Sequence, residues 1–374
     1  MKRIIKTPKP NTDINLQEEG STQGDAFRKK RRPLWFKIAS IVFGVITIIT
    51  IVILCYVNHI LSKYNYDDQS NVVLQEETFE VDQGTSQSEG TDPDSIKWEK
   101  VSEQAVKVEG VFNILLLGEE SIKDKVRGRS DCMIVVTLNT KTNEIKMTSL
   151  MRDTYVQIPG YQDNRLNAAY NTGGVPLLEE TIKKNFNLII DGYVLVDFDG
   201  FENIIDKLGG VKITLTQKEA EYLNAKNYIS NPDYRTVVVG TQLLNGNQAM
   251  GYSRVRKIKT ANNLIYDFGR TFRQRAVLQQ IFESYKSKSL PELVGIFEDI
   301  MPMVTTDLSK VEVLNYLATV VSMGVSDIDT MSVPVKDGYY DDEIRRMKVL
   351  VPNLQRNIDE MHMFIYGENY VSSK

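Results

Sequence analysis

The stretch GYSRVRKIKTANNLIYDFGRTFRQR, residues 251–275, concentrates positive charge beside apolar positions. It contains five arginines, Arg254, Arg256, Arg270, Arg273 and Arg275. Any one of these arginines taken alone is as readily explained as a surface charge or half of a salt bridge as it is by ligand binding. Guanidiniums gathered within about 8 Å would repel by roughly 2 kcal/mol per pair at an effective dielectric constant near 20, so a cluster needs an anion. Because the guanidinium fork matches phosphate oxygens in pairs, the stretch indicates phosphate recognition.

Helical spacing separates these arginines into two groups. If Asp267 begins a helix, Asp267, Arg270 and Gln274 recur at i, i+3 and i+7 and lie along one stripe. Arg273 and Arg275 fall beside that stripe, and we expect them mainly on the helix surface. The predicted binding face therefore carries one carboxylate, one guanidinium and one amide.

Further charged residues lie where extended segments begin and end. Arg254 and Arg256 are two residues apart, so an extended segment points both to one side. Two more pairs flank predicted strands, Arg129 with Asp131 and Arg152 with Asp153. The sequence therefore has two more arginine–aspartate pairs at the ends of predicted strands.

Two acidic residues could hold a metal ion. Glu120 follows a predicted strand and Asp131 opens the next one. Carboxylate oxygens are the ligands that hard divalent cations prefer, and such a cation can also bridge phosphate oxygens. A cation together with arginines would suit a pyrophosphate.

Several other chemistries are disfavoured. The chain has two histidines, His59 and His362, which argues against Ser-His-Asp and Cys-His hydrolases. The sequence lacks the GxxxxGK[ST] and GxGxxG patterns of the common nucleotide-binding loops. Nucleic acid is an improbable partner because residues 110–374 are net acidic, with 31 Lys or Arg against 33 Asp or Glu.

The elements that position these residues alternate between strands and helices. Apolar runs predict strands over 111–118, 131–139, 144–152, 191–198 and 211–215, whereas helical periodicity and glycine stops predict helices over 175–187, 199–210, 267–285, 308–324 and 353–367. Hairpins mixed with strand-helix crossovers favour a three-layer α/β/α sandwich with a mixed central sheet.

The first hundred residues predict a membrane anchor. Residues 38–57 carry no charge and are long enough to cross about 30 Å of hydrocarbon, whereas a cleavable signal peptide has a shorter apolar region and a small-residue cleavage site. Basic residues precede the run, so the positive-inside rule places the N-terminus in the cytoplasm. We therefore predict a cytoplasmic tail (1–33), a transmembrane helix (34–57), an acidic extended linker (58–109) and an extracellular domain (110–374).

Seven ordered motifs resemble the LytR-CpsA-Psr family. They are NILLLGEES, RGRSDCMIVVTLN, SLMRDTYVQIPG, RLNAAYNTGG, LGGVKI, LNGNQAMGYSRVR and DFGRTFRQR, which span about residues 111–285. The resemblance implies a membrane-anchored phosphotransferase of the Gram-positive envelope. Such an enzyme moves an anionic glycopolymer, for example teichoic acid or capsule, from undecaprenyl pyrophosphate to peptidoglycan and releases the lipid phosphate.

The resemblance also assigns roles to residues. The expected pyrophosphate-binding residues are Arg129, Arg152, Arg165, Arg254, Arg256, Arg270 and Gln274. The expected ligands of Mg²⁺ or Mn²⁺ are Asp131 and Glu120, and the expected catalytic residues are Arg152, Asp131 and Asp267. Either Asp131 or Asp267 could accept the proton of the attacking hydroxyl.

This chain departs from the family pattern at three positions. Glu120 stands where the family usually has aspartate, Met151 where it has proline, and Arg165 where it has lysine. The prenyl chain needs an apolar slot, expected between the sheet and helices such as 175–187. Two rival functions remain open, a lipid pyrophosphatase that gives the phosphate to water and a non-enzymatic envelope regulator or scaffold.

Overall fold

A computed structural model describes residues 34–70, 72–82, 90–99, 101, 105, 107–120, 127–286 and 288–367. The predicted tail, residues 1–33, lies outside these ranges. None of the helices within them combines the length and the hydropathy that a membrane span requires.

The helices and strands follow the predicted order closely. The helices are α1 Leu34–Ile60, α2 Leu166–Phe186, α3 Phe198–Leu208, α4 Gln217–Ala225, α5 Gly246–Arg254, α6 Tyr266–Lys286, α7 Leu290–Ile300, α8 Lys310–Met323 and α9 Leu354–Tyr366. The strands are β1 Asn65–Tyr66, β2 Val111–Glu119, β3 Ser130–Asn139, β4 Glu144–Leu150, β5 Tyr155–Val156, β6 Asn164–Arg165, β7 Gly192–Asp197, β8 Val211–Leu215, β9 Gly240–Leu244, β10 Thr305–Thr306, β11 Ile328–Val333, β12 Tyr339–Ile344 and β13 Met347–Pro352.

The centre of the fold is a seven-stranded sheet in the order β1-β10-β7-β2-β3-β4-β11. Strands β2, β3 and β4 are antiparallel neighbours, whereas β2 pairs with β7 and β4 with β11 in parallel. The mixed central sheet predicted from the sequence is therefore confirmed.

Side chains leave the two faces of the sheet toward different helices. Leu115 of β2 belongs to a buried cluster with Leu178 of α2 and Met361 of α9. Leu116, the next residue, faces a cavity that Phe201 of α3 also lines. Each fully buried Leu or Phe contributes about 1.5–3 kcal/mol, so the first face carries much of the core and the second is available for a site.

Helix caps fix α3 and α5, two of the helices that border the cavity. Asp197 caps α3 by accepting a hydrogen bond from the Gly200 N–H at 2.7 Å, and Gly209 ends that helix with a positive φ of 89°. Asn245 and Gln248 form a reciprocal capping box at the start of α5. These caps set where α3 and α5 begin, and hence where their cavity-facing side chains lie.

Part of the predicted extended linker is folded onto the domain. We call residues 72–82 the acidic strap. The Gln75 N–H donates to the Thr172 carbonyl at 2.9 Å, and Phe79 packs with Ile96 and Trp98 against a buried cluster. The described part of residues 58–109 differs from the expectation of an extended linker, because Phe79 packs against the domain and Glu80 and Asp82 pair with arginines.

Candidate functional site

A β-bulge positions Asp131 at the end of the sheet. Gly118 pairs with Cys132, but Glu119 pairs with Ser130, so Asp131 is the extra residue between them. Bulges re-aim side chains and are common beside active sites. The Asp131 carboxylate accepts a hydrogen bond from Arg152 Nη1 at 2.6 Å and lies 3.5 Å from Arg270 Nη1.

Asp267 is the second acidic centre of the site. Its carboxylate lies 3.0 Å from Arg256 Nε, 3.0 Å from Arg270 Nη2 and 3.8 Å from Arg152 Nε. Arg270 follows Asp267 by three residues on α6, as the helical spacing predicts. The i, i+3 stripe therefore brings a buried carboxylate and a buried guanidinium together.

Arg256 reaches this centre because the start of α6 holds its backbone. The Tyr266 N–H donates to the Arg256 carbonyl at 2.8 Å. Tyr266, the first residue of α6, has a positive φ of 54°, a conformation that bulky residues rarely adopt. Strained residues of this kind concentrate at functional sites.

Asp153 forms a carboxyl pair with Asp267, a role that the sequence does not predict for Asp153. Burial, together with the hydrogen bond and charge of Asp267, raises the pKa of Asp153 to about 7. Burial opposes ionisation of Asp267, but the hydrogen bond from Asp153 and then Arg270, Arg256 and Arg152 hold its pKa far below the ordinary value. The pair therefore retains one proton up to about neutral pH, because two carboxyl groups buried together resist ionising both.

Burial also opposes ionisation of Asp131. Arg270 and Arg152 together outweigh this effect and lower the pKa of Asp131 below its ordinary value. Asp131 is consequently ionised at neutral pH, and Arg152, with a raised pKa, stays a cation. The site at pH 7 holds several guanidiniums against two full carboxylate charges and one shared proton.

A cavity of about 400 Å³ extends from these charges along the sheet. Its polar end is formed by Asp131, Arg152, Arg254, Arg256, Arg270 and Gln274. Its apolar walls include Leu116, Val194, Val196, Phe198, Phe201, Ile204, Met250, Leu278 and Ile281. The sequence predicts an apolar slot beside residues 175–187, but α2 packs into the core on the face of the sheet opposite this cavity.

Arg254 and Gln274 complete the polar end. Arg254 is exposed at the end of α5, and its guanidinium lies 5.0 Å from the Phe198 ring centroid. Among the described residues, Arg254 has no ion-pair partner. Gln274 donates to the Asp131 carbonyl at 3.2 Å. Arg254 is thus the guanidinium whose donors are most available to an incoming anion.

Two predicted pyrophosphate-binding residues contact the acidic strap and lie outside the cavity lining. Arg129 Nη1 lies 2.5 Å from Glu80 Oε2, and Arg165 Nη1 lies 3.3 Å from the same oxygen. Arg165 also pairs with Asp82 and donates to the Lys348 carbonyl at 2.7 Å. Both arginines are therefore neutralised by carboxylates of this chain.

Arg273 and Arg275 are buried, so the expectation that they lie on the helix surface is wrong. Arg273 is fully buried and pairs with Glu219 at 2.8 Å. Arg275 donates to the hydroxyl groups of Ser149 at 2.7 Å and Ser332 at 2.8 Å, and burial lowers its pKa to about 10. Both tie α6 to neighbouring elements.

The two predicted metal ligands, Asp131 and Glu120, lie near the end of β2 and the start of β3. Asp131 is an ionised carboxylate at the cavity, and Glu120 is exposed just after β2. Within the described ranges, no group of three or more His, Cys, Asp or Glu side chains could hold a metal. Magnesium often uses only one or two protein carboxylates together with substrate phosphates, and Asp131 fits that mode.

A mixed sheet with a cavity that joins an arginine cluster to apolar walls defines a class of protein. A model of the LytR_cpsA_psr family matches residues 75–362, and the chain belongs to this family. The match begins within the acidic strap, in agreement with the packing of that segment.

Two named proteins are similar to this chain in sequence. The chain is 32% identical over 243 residues to the regulatory protein MsrR of Staphylococcus aureus strain COL, covering 63% of this chain and 68% of MsrR. It is 31% identical over 261 residues to TagV of Bacillus subtilis strain 168, covering 66% of this chain and 65% of TagV. TagV is named a polyisoprenyl-teichoic acid–peptidoglycan teichoic acid transferase.

Solved structures agree with this fold. The crystal structure of Bacillus subtilis TagV matches with a TM-score of 0.55 and 29% identity, over 69% of this chain and 98% of that one. TagT with bound octaprenyl pyrophosphate lipid matches with a TM-score of 0.52 and 24% identity, over 75% and 96%. At that identity the TagT comparison supports the fold alone.

Proposed function

We propose that this chain is a phosphotransferase that moves an anionic glycopolymer, such as teichoic acid or capsule, from a polyprenyl pyrophosphate carrier to a peptidoglycan sugar hydroxyl. One observation carries the proposal: a single cavity has apolar walls and ends at four arginines. A lipid pyrophosphate has the same two parts, a hydrocarbon chain and a compact polyanion. The similarity to TagV, named as a transferase of this kind, supports the assignment.

The charges at the polar end favour a pyrophosphate. Arg152, Arg254, Arg256 and Arg270 line the cavity, and Arg254 has donors to spare. Pairs of N–H donors from each guanidinium can bind phosphate oxygens and neutralise charge as it develops on the leaving phosphate. We do not extend this role to Arg129 and Arg165, which bind the acidic strap.

The apolar walls would hold the prenyl chain. Phe201, Ile204 and Ile281 are among the apolar residues that line the cavity. Burying hydrocarbon there contributes about 0.8 kcal/mol per methylene, so a few isoprene units would supply substantial affinity. The lipid thereby positions its pyrophosphate at the arginines.

In the proposed reaction, a sugar hydroxyl oxygen attacks the phosphorus on the glycan side. A new P–O bond forms, the bond to the lipid phosphate breaks, and undecaprenyl phosphate leaves. The hydroxyl proton passes to a carboxylate. Asp131 and Asp267 are the two candidate acceptors, and the pKa of each is lowered, so both are ionised at neutral pH. Of the two, Asp131 lines the cavity, and we therefore favour Asp131 as proton acceptor.

A divalent cation, Mg²⁺ or Mn²⁺, fits the proposed reaction. Asp131, with Glu120 as a second candidate, would hold it together with phosphate oxygens. When bound, the cation would supply further neutralisation of phosphate charge. Arg152 and Arg270 contact the Asp131 carboxylate directly, so they would hold it in position.

We further propose a single-pass topology with a cytoplasmic N-terminus and an extracellular domain. The support is the charge-free run of residues 38–57, the basic residues before it, and the exposure of apolar side chains on α1 such as Ile48 and Leu54. A protease-protection assay on oriented vesicles would test it. Cleavage of the 110–374 region from the cytoplasmic side would overturn this topology.

The reaction is tested with the full chain in detergent, lipid pyrophosphate-linked glycan and peptidoglycan. We expect a covalent polymer–peptidoglycan adduct and release of lipid monophosphate in equal amounts. Arg254→Met should abolish adduct formation without changing thermal stability. Lipid phosphate released without adduct would favour a pyrophosphatase, and neither product would favour a regulator or scaffold.

A further inference from the structure

A second cleft, lined by aromatic side chains, lies beside the β12–β13 hairpin. It encloses about 250 Å³, and its aromatic lining residues are Trp98, Tyr339 and Tyr340. Tyr340, on β12, is 53% exposed. Exposed aromatic rings grouped in a concave surface indicate ligand binding.

The rings of this cleft are held in place from behind. Trp98 stacks on Tyr155 with ring centroids 6.0 Å apart, and its indole N–H donates to Asp163 Oδ2 at 2.6 Å. Tyr339 packs against Phe268, with centroids 5.5 Å apart. The ring planes of Trp98 and Tyr339 are therefore fixed before any ligand arrives, which reduces the entropy lost on binding.

The cleft connects to the proposed reaction centre through α6. Phe268, the partner of Tyr339, directly follows Asp267 in the first turn of that helix. On the hairpin side, the Leu350 N–H donates to the Asp153 carbonyl at 2.9 Å. Both walls of the aromatic cleft are thus attached to the two members of the carboxyl pair.

At its other end the cleft continues as a polar groove. Glu99 and Asn353 line both, and the groove adds Gln355, Arg356, Asp359 and Glu360. Planar amide, carboxylate and guanidinium groups are suited to sugar hydroxyl and acetamido groups, whereas aromatic rings are suited to the apolar faces of pyranose rings. The combination fits a chain of sugars.

The charge of this surface distinguishes between the two polymers of the proposed reaction. Its acidic lining residues, Glu99, Asp337, Asp359 and Glu360, outnumber the basic ones, Lys97 and Arg356. A phosphate-rich donor polymer would be repelled, whereas an uncharged sugar backbone would not. We propose that the cleft and groove bind the glycan strand of the acceptor, an assignment that rests on the transferase function proposed above.

The chain offers a direct probe of this site. Trp35 and Trp98 are its two tryptophans, so Trp35→Phe leaves Trp98 as the only indole. A tetramer of β-1,4-linked N-acetylglucosamine is titrated into the full-length Trp35→Phe protein in detergent, with Trp98 emission recorded. We expect a saturable change in emission. Absence of saturable change at millimolar tetramer would overturn the proposal.

Variants of Tyr340 test the contact itself. Tyr340→Ala should weaken tetramer binding about tenfold, near the upper end of one aromatic contact, while Tyr340→Phe should stay within about twofold. Tyr234→Ala removes a ring that is 43% exposed outside the cleft and is the matched control. Equal weakening by the Tyr340→Ala and Tyr234→Ala changes would refute a specific site.

Kinetics separates this inference from the proposed reaction. In the transfer assay, Tyr340→Ala should raise KM for peptidoglycan about tenfold and leave KM for the lipid donor within about twofold. Tetramer binding without any transfer would overturn the proposed reaction and retain the sugar site. Normal transfer with an unchanged peptidoglycan KM in the Tyr340→Ala variant would overturn the sugar site alone.

Discussion

The carboxyl pair of Asp153 and Asp267 predicts a specific dependence of stability on pH. The pKa of Asp153 is about 7 in the folded protein and 3.8 in an unfolded chain. Because the folded form holds the proton more tightly, Asp153 contributes stability that is complete below pH 3.8 and is lost as the pH rises to about 7. The pKa of Asp267 is lowered, so its contribution is constant throughout this window.

The magnitude follows from the two pKa values. Each pKa unit corresponds to about 1.4 kcal/mol, so the shift of Asp153 amounts to about 4 kcal/mol. Asp153→Asn keeps a hydrogen-bond donor for Asp267 but cannot titrate. The stability advantage of the wild type over this variant should therefore fall by about 4 kcal/mol between pH 4 and pH 7.5.

Thermal unfolding of the two full-length proteins in the same detergent measures this change. In a domain of this size about 1 kcal/mol shifts the unfolding midpoint by about 2 °C, so the gap between the midpoints should change by roughly 8 °C. Asp329→Asn, which alters an exposed aspartate on β11, should give a gap that is flat with pH. A flat gap for Asp153→Asn as well would refute the shared-proton interpretation.

Three further predictions concern the cavity and its charges. Arg270→Met removes a buried guanidinium that contacts both Asp131 and Asp267, and it should destabilise the protein by about 3 kcal/mol in thermal unfolding. Lys207→Met, at a half-exposed ion pair, should cost less than about 1 kcal/mol. Ile281→Trp places a larger side chain on the apolar wall and narrows the cavity. It should weaken binding of long-chain polyprenyl pyrophosphate about tenfold and leave binding of inorganic pyrophosphate unchanged. Equal losses for both ligands would argue against a lipid slot. A chelator should lower transfer at least tenfold and added Mg²⁺ should restore it in the wild type but not in Asp131→Asn; full activity in chelator would remove the metal from the proposal.

The features that could be predicted from the sequence are those set by residues close together in the chain. The α6 stripe joined Asp267, Arg270 and Gln274 correctly because helix geometry relates residues three and seven apart. The predicted order of strands and helices also appears in the structure, since alternating and helical hydrophobic periods are local signals. The sheet could be predicted because its strands are continuous apolar runs.

Long-range contacts set the limits of prediction. Arg129 and Arg165 lie within the family's motifs, yet their partner Glu80 is 49 and 85 residues away in the chain. The composition of the segment around Glu80 predicts only an extended linker. Arg273 has the spacing of a flanking surface residue, but the carboxylate of Glu219 permits its burial. No periodic signal in the sequence relates these arginines to their carboxylate partners.

Asp153 was visible beside Arg152, but its role depends on burial. A side chain's desolvation is a property of everything packed around it, and Asp153 and Asp267 are 114 positions apart in the sequence. An adjacent Arg-Asp dipeptide is a signal for a salt bridge. It does not reveal that a second carboxyl group shares the proton.

The acidic strap has a consequence for where this protein can be cut. The side chain of Arg165 is 3% exposed, and Glu80 and Asp82 supply most of its counter-charge. A shortened protein that starts at Val111, where the first long strand begins, would retain the buried cation and lose those carboxylates. The folding unit therefore begins before the acidic strap. The strap is part of the folded domain and is not merely a linker between α1 and that domain.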